Sequence, residues 1–223
     1  MHQRISKKII VYLFLFLLLV TANNINLSNL NFFKTTTLSV SGLNNLEKEK
    51  FEKDFDFLKT EGLIFLDKIE ISKRIFANKT VEELSVFKNY PSELKIFIKK
   101  TNFLAITKKN NQNYYIGSNG NLILTKNSLE NLPFIFGNVE PNDFLKLKAY
   151  INNSEFNIEK IKNLYFFKSK RWDIETKDGL LIKLPLNQIE KSLNNLSKII
   201  ILEEFKNKKI IDLRQTDQVI LND

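Results

Sequence analysis

Paired carboxylates can divide acid and base roles between them, and this chain offers Glu82-Glu83, Glu203-Glu204 and Asp54 with Asp56. Sequence neighbours point apart on a strand or a helix, so the first two pairs read as solvated faces rather than as catalytic dyads. Asp54 and Asp56 fall on a charged helix face and read the same way. The lone histidine is His2, ahead of an apolar run, and there is no cysteine. Serine triads, histidine zinc sites, thiolate chemistry, disulfides and a lipidated cysteine anchor are therefore all excluded from the folded part. None of the six glycines is spaced as a phosphate-binding loop. Asn78-Lys79-Thr80 and Asn152-Asn153-Ser154 match a glycosylation pattern that an Asn-rich chain produces by chance. No metal, cofactor, small-molecule substrate or catalytic residue is expected.

The charge is equally uninformative about a partner. Of 34 basic residues only Arg4, Arg74, Arg171 and Arg214 are arginines, the rest being Lys, and Asn and Ile are abundant, as an AT-rich genome would impose. The net charge of +9 is interleaved with acids, as in Glu47-Lys48-Glu49-Lys50. Nucleic acid would require clustered Arg with aromatics along one surface, so it is not expected as a partner.

What positions the remaining residues begins at the N-terminus. Arg4, Lys7 and Lys8 precede an unbroken apolar run from Ile9 to Val20, and no charge follows until Lys34. Residues 9–22, at ~1.5 Å each, span roughly 21 Å against the ~30 Å of a hydrocarbon core. The segment fits a signal peptide cleaved after Ala22, or an anchor whose Lys7 and Lys8 stems snorkel to the interface. Either way the positive charges stay inside and the rest is exported.

Residues 23–35 read as a linker. Then Leu38 and Val40 alternate in a strand ending at Gly42. Asn44 and Glu47 form a capping box for a helix carrying Phe51, Phe55 and Leu58 and ending at Gly62. Asp67 and Glu70 start a second helix, with Leu66 and Ile71 as its staple and Ile71, Ile75 and Phe76 as its inner face. A strand with Leu84 and Val86 runs to Tyr90-Pro91, and Leu94, Ile96 and Ile98 alternate with Lys95, Phe97 and Lys99 beyond it. This β-α-α-β-β order suits an antiparallel sheet with two helices on one face. The second half is expected to be mainly antiparallel, with hairpins at Ser118-Asn119-Gly120 and Lys177-Asp178-Gly179. Helices are expected at 141–151 and 186–196, and strands at 209–213 and 219–221. Trp172 fits a core position or a binding one.

Several islands, in order, resemble the FtsQ/DivIB family of bacterial cell-division proteins, in its alphaproteobacterial style. They are Leu38-Ser39-Val40-Ser41-Gly42, Tyr90-Pro91-Ser92-Glu93-Leu94-Lys95-Ile96, Ala105, Tyr115-Ile116 with Gly120, and Leu132-Pro133 with Gly137. Arg171-Trp172-Asp173, Asp178-Gly179, Leu184-Pro185 and Ile211-Asp212-Leu213-Arg214 complete them. The chain departs from the family at Lys100, Thr101 and Phe103, where relatives carry an acidic-Arg pair followed by Pro, and in its short N-terminal tail and apolar segment.

The resemblance implies an α+β chain with a cytoplasmic tail (1–8), a retained transmembrane anchor (9–22) and a linker (23–35). A polypeptide-transport-associated (POTRA) domain (36–101) and a β-domain (102–223) follow, both periplasmic, on a single-pass inner-membrane protein. It implies a non-enzymatic scaffold at the septum that recruits FtsB- and FtsL-like proteins through the β-domain's terminal strands. A strand that ends a chain leaves one row of backbone groups unpaired, which a partner strand can satisfy. The expected contact residues are Arg171, Trp172, Arg214, Gln215, Val219 and Leu221; the plainer reading has the 209–221 region close the sheet's own core. The alternatives are an anchored lipid- or lipopolysaccharide-handling module, which needs an open apolar groove, and an exported carboxylate enzyme, which needs two converging buried acids. Mass spectrometry of the native chain is expected to find residues 1–22 retained; a mature N-terminus at Asn23 overturns the anchor.

Overall fold

A computed structural model describes residues 7–22, 34–124, 131–200, 208–215 and 220–222. The first helix, α1 (Lys7–Ala22), is 16 residues long and exposed along its described side chains. Among the described residues no helix is long and apolar enough to cross a membrane. Arg4, Val219 and the Glu203-Glu204 pair lie outside the described residues.

The chain divides into two compact units, Met1–Ala77 with Glu83–Lys99, and Asn78–Glu82 with Lys100–Asp223. In the first, β1 (Thr37–Ser41), α2 (Asn45–Asp54), α3 (Phe57–Thr60), α4 (Lys68–Phe76), β2 (Val81–Asn89) and β3 (Glu93–Lys100) follow in order. The strands form a sheet ordered β1-β3-β2. Asn44 closes its capping box, accepting from the Glu47 N–H at 2.9 Å while the Glu47 carboxylate takes the Asn44 N–H. Asp67 caps α4 alone, accepting from the Ile69 N–H, because Glu70 turns outward to pair with Arg74. Leu94, Ile96 and Ile98 on β3 meet Leu58, Leu63, Leu66, Ile71 and Ile75 in burial, each at 5% exposure or less.

Four expectations for this unit are corrected. β1 pairs with β3 in parallel, not antiparallel, because the turn after β2 sends β3 back along the direction of β1. The helix expected to run to Gly62 breaks at Phe55, and Phe55 stacks on Phe51 instead (4.4 Å between centroids) while α3 restarts to bury Leu58. Phe76, at the last turn of α4, is 48% exposed rather than inward. Thr35, assigned to the linker, is buried, and Lys34 already bridges to Gly62.

The second unit is built on a nine-stranded sheet ordered β12-β11-β10-β9-β8-β7-β4-β5-β6. Its strands are β4 (Phe103–Lys109), β5 (Gln112–Gly117), β6 (Leu122–Leu124), β7 (Phe134–Phe136), β8 (Ile161–Phe166), β9 (Trp172–Thr176), β10 (Leu181–Lys183), β11 (Ile210–Asp212) and β12 (Ile220–Asn222). Both expected hairpins form, β5 with β6 and β9 with β10. Antiparallel pairs outnumber parallel ones, yet β4 with β7, β7 with β8, and β10 with β11 are parallel. Each of these pairs is joined through a connection long enough to cross the sheet, which an antiparallel hairpin does not need.

Alternation puts Ile135, Leu164, Ile174, Ile182 and Ile211 on one face, all at 1% exposure or less. Against it pack α5 (Pro141–Asn152), whose Phe144, Leu147 and Ile151 share a side, and α6 (Ile189–Ile199), which buries Leu193 and Leu196. Pro141 fits the first turn of α5, where its missing N–H costs nothing. Among the described residues this face is filled by helices.

Gly42 is the most constrained position of the first unit. Its φ is +88° and a Cβ there would stand 1.7 Å from the Ile98 carbonyl oxygen. In urea titrations, Gly42→Ala is expected to cost more stability than Asn44→Ala, which should lose about 1 kcal/mol as a cap. Equal costs would mean that the β1–β3 approach is not what holds this unit.

Candidate functional site

The residues singled out by sequence gather near the β12 end of the large sheet. Register sets Asp173 of β9 opposite Lys183 of β10, and Lys183 opposite Asp212 of β11. Asp212 faces Ile220 of β12, while in the other direction Asp173 faces Tyr165 of β8 and Tyr165 faces Phe136 of β7. A single line of side chains, Phe136-Tyr165-Asp173-Lys183-Asp212-Ile220, thus crosses six strands on the face opposite the core. Phe136 stacks on Tyr165 at 5.1 Å and lies tilted against Phe134 at 4.7 Å, so one end of the line is aromatic. The other end is ionic and runs into the edge strand.

Each buried acid in this line has its own arginine. Arg214 Nε donates to both carboxylate oxygens of Asp212 at 2.8 Å, and the Arg214 N–H donates to Oδ1 at 3.0 Å. These bonds hold the Asp212 carboxyl below its ordinary range. Arg171 Nε reaches Asp173 Oδ1 at a longer 3.4 Å while its guanidinium lies 4.5 Å over the Phe167 ring. Burial outweighs Arg171, Lys183 and Arg214 here, and the Asp173 carboxyl is pushed up. One strand further, Tyr165 Oη donates to the Glu175 carboxylate at 2.5 Å and Asn163 Nδ2 donates to it at 3.0 Å; both bonds lower Glu175, and the Glu175 carboxylate raises Tyr165.

Asp173 and Asp212 stand two strands apart, about 9–10 Å. With an arginine on each and an open sheet face around them, they are arranged to fix strand order and present cations rather than to share a proton. Among the described residues no group of His, Cys, Asp or Glu could hold a metal ion.

Several expected placements change. β11 is interior, between β10 and β12, and its Ile211 is fully buried with Leu213 at 4%. Residues 211 and 213 thus face the sheet's own core, and among the described strands β12 is the outermost at this end. Trp172 is not at an edge. It is 3% exposed, packed against Phe166 at 4.6 Å, because the alternation that turns Asp173 outward turns Trp172 into the core. Arg171 stands just before β9, an interior strand; Arg214 and Gln215 follow β11 and are exposed. Leu221 lies in β12, opposite Ile211.

The sequence reading passed over Lys183 and the paired role of Asp173 and Asp212. Their signal was present as single charges alternating with Trp172, Ile174, Ile182, Ile211 and Leu213. Glu82 and Glu83 diverge as adjacent strand residues must: Glu82 accepts from Ser118 at 2.7 Å and Glu83 pairs with Lys99. Asn78 is occupied too, accepting from the Thr80 N–H and hydroxyl in a local turn.

The two aspartates predict opposite pH behaviour. Asp212 is depressed on folding, so its contribution is full above the unfolded pKa of about 3.9 and is lost as pH falls through the folded value. Asp173 is raised, so its relative contribution is greatest below that unfolded pKa and declines as pH rises through the folded value. In urea titrations at pH 7, Asp212→Asn should lose on the order of 1–3 kcal/mol, and Asp173→Asn clearly less. The Asp212→Asn deficit should shrink towards pH 3; a deficit independent of pH would show that charge is not its cause.

Comparison with known proteins follows the same part of the chain. The family model for the C-terminal region of cell division protein FtsQ/DivIB matches residues 105–214, from within β4 to just past β11. The cell division protein DivIB of Clostridium botulinum (strain Hall) is 26% identical over 93% of this chain and 86% of its own length. The FtsQ proteins of Rickettsia bellii and Bradyrhizobium diazoefficiens are 25% and 23% identical, over 83% and 85% of this chain and 71% and 56% of theirs. The solved extracytoplasmic domain of DivIB from Geobacillus stearothermophilus aligns with 49% of this chain and 98% of its own, at 13% identity and a TM-score of 0.35.

Proposed function

The chain belongs to the FtsQ/DivIB family of cell-division proteins, and from that premise we propose that it is a non-catalytic scaffold of the division machinery. It is tethered in the inner membrane by the 9–22 segment, with a short cytoplasmic tail and two periplasmic units, the first of them POTRA-like.

The single observation that carries this reading is the sheet order, which ends at β12. Among the described residues no strand pairs beyond β12, so that side of its backbone can take one more strand. An FtsB-like partner adds that strand, and FtsL-like and other division proteins join through it. Main-chain hydrogen bonds supply affinity in this mode, and side chains flanking the edge supply selectivity. Ile220, 45% exposed, offers apolar contact, and Arg214, 46% exposed at its side chain, offers a cation held in place by Asp212. Arg171, Gln215, Val219 and Leu221 complete the proposed contact set, while the buried Trp172 supports β9 from within. A partner segment with alternating apolar and acidic residues matches this edge.

Deleting residues 216–223, or changing Val219→Pro, is expected to abolish capture of the FtsB-like partner while leaving the POTRA-like unit folded and the chain at the membrane, since Pro cannot donate to a ladder and resists pairing. Pull-down from detergent-solubilised membranes, with circular dichroism as the folding control, reads this directly. Undiminished capture by a folded Val219→Pro protein removes the edge-strand mode.

A further inference from the structure

Within the first unit, the turn Gly62–Phe65 sorts its residues sharply. Leu63 and Leu66 are buried at 0% and 3%, while Ile64 and Phe65 between them are 47% and 64% exposed. Ile69, in the first turn of α4, is 78% exposed. Three large apolar side chains thus stand out within six residues, separated only by Leu66, the capping Asp67 and Lys68.

The backbone of this turn is unusually well provided for. The Phe65 N–H donates to the Gly62 carbonyl at 2.9 Å, and the Ile69 N–H to Asp67 at 2.8 Å. Lys88, reaching from β2, donates to the carbonyls of Ile64 and Leu66. Carbonyls at a turn are ordinarily left to water, and a turn entering an apolar boundary must bring its own donors. Here one ammonium supplies two of them.

The position of the turn along the chain says what it meets. Lys34 bridges to Gly62, so the chain coming from α1 arrives beside this turn. Between Ala22 and Lys34 lie 11 residues, which even fully extended reach no more than about 40 Å.

We propose that Ile64, Phe65 and Ile69 form an apolar knuckle that dips into the outer surface of the same membrane that holds residues 9–22, with Lys68 beside anionic headgroups. The proposal rests on the anchor reading. Residues of this kind settle about 5–10 Å into the headgroup–acyl boundary, and a pre-tethered unit needs only weak affinity to stay there. Docking this way limits the tumbling of the first unit on its tether, so that partners approach it from a restricted side.

The chain has no cysteine, so single-cysteine variants can be labelled at one point each. Full-length Phe65→Cys, Phe14→Cys and Asp178→Cys, each carrying an environment-sensitive fluorophore, are reconstituted in phosphatidylethanolamine/phosphatidylglycerol vesicles with or without doxyl-labelled lipid. The expected result is blue-shifted emission and doxyl quenching at positions 14 and 65, and neither at 178. An added Ile69→Asp change should abolish the signal at 65 and leave that at 14. Quenching at 14 without quenching at 65 overturns the knuckle and leaves the anchor standing. No quenching at 14 overturns both. A blue shift at 65 that grows with protein-to-lipid ratio and resists doxyl lipid assigns the knuckle to a second copy of the chain, and also overturns the proposal.

Discussion

A sheet of nine strands has two faces and two edges, and among the described residues helices close one of the faces. Helices α5 and α6 cover the side that carries Ile135, Leu164, Ile174, Ile182 and Ile211, where each buried aliphatic contributes about 1.5–3 kcal/mol. Once that face is committed, strand alternation leaves no choice for the other residues. Asp173, Lys183 and Asp212 must project from the opposite face, and register brings them into one line. Burial of the acids would be costly if they were unpaired, so Arg171 and Arg214 follow from the same constraint. The charged line is thus a consequence of how the core is packed as much as of any demand from outside. Its distinctive feature is that it stops at a strand with an open side.

The parts of the fold legible in the sequence were those whose local signals agree with their surroundings. The Asn44–Glu47 capping box, the two glycine hairpins and the Leu94-Ile96-Ile98 alternation depend on residues a few positions apart, and all three stand in the structure. What escaped was set by distant partners. β4 lies between β7 and β5 and buries Ala105, Ile106 and Thr107 in succession, so it shows no period of two. In β8 a register shift between Ile161 and Asn163 spoils the alternation, and β7 is three residues long. Parallel pairing is equally invisible locally, because both partners arrive from far away in the chain.

The site was legible in its residues but not in its arrangement. Arg171, Arg214 and the terminal strands could be singled out, yet Trp172 and Asp173 exchange their expected importance on one question, which face of β9 is the core. A one-residue change in alternation reverses that answer. Lys183 lacked any signal of its own beyond a charge between Ile182 and Leu184. Only its register against both aspartates shows that it is the shared neighbour of the two arginine-held acids.

The proposed scaffold role rests on edges and faces rather than on an enclosed site. An enzyme must enclose its substrate, whereas a scaffold must leave surface unsatisfied in a controlled way. At β12 the unsatisfied groups are backbone, which is specific to strands but blind to sequence; Arg214, fixed by Asp212, adds the side-chain component that backbone pairing lacks. A guanidinium already oriented by its own carboxylate loses little rotamer freedom when a partner arrives. Its charge is also partly answered by Asp212, so in the proposed mode it would select partners more than attract them. In the proposed mode, pairing would supply affinity at this edge and the pre-positioned cation would supply discrimination, a division of labour that needs one open strand and one strong internal ion pair beside it.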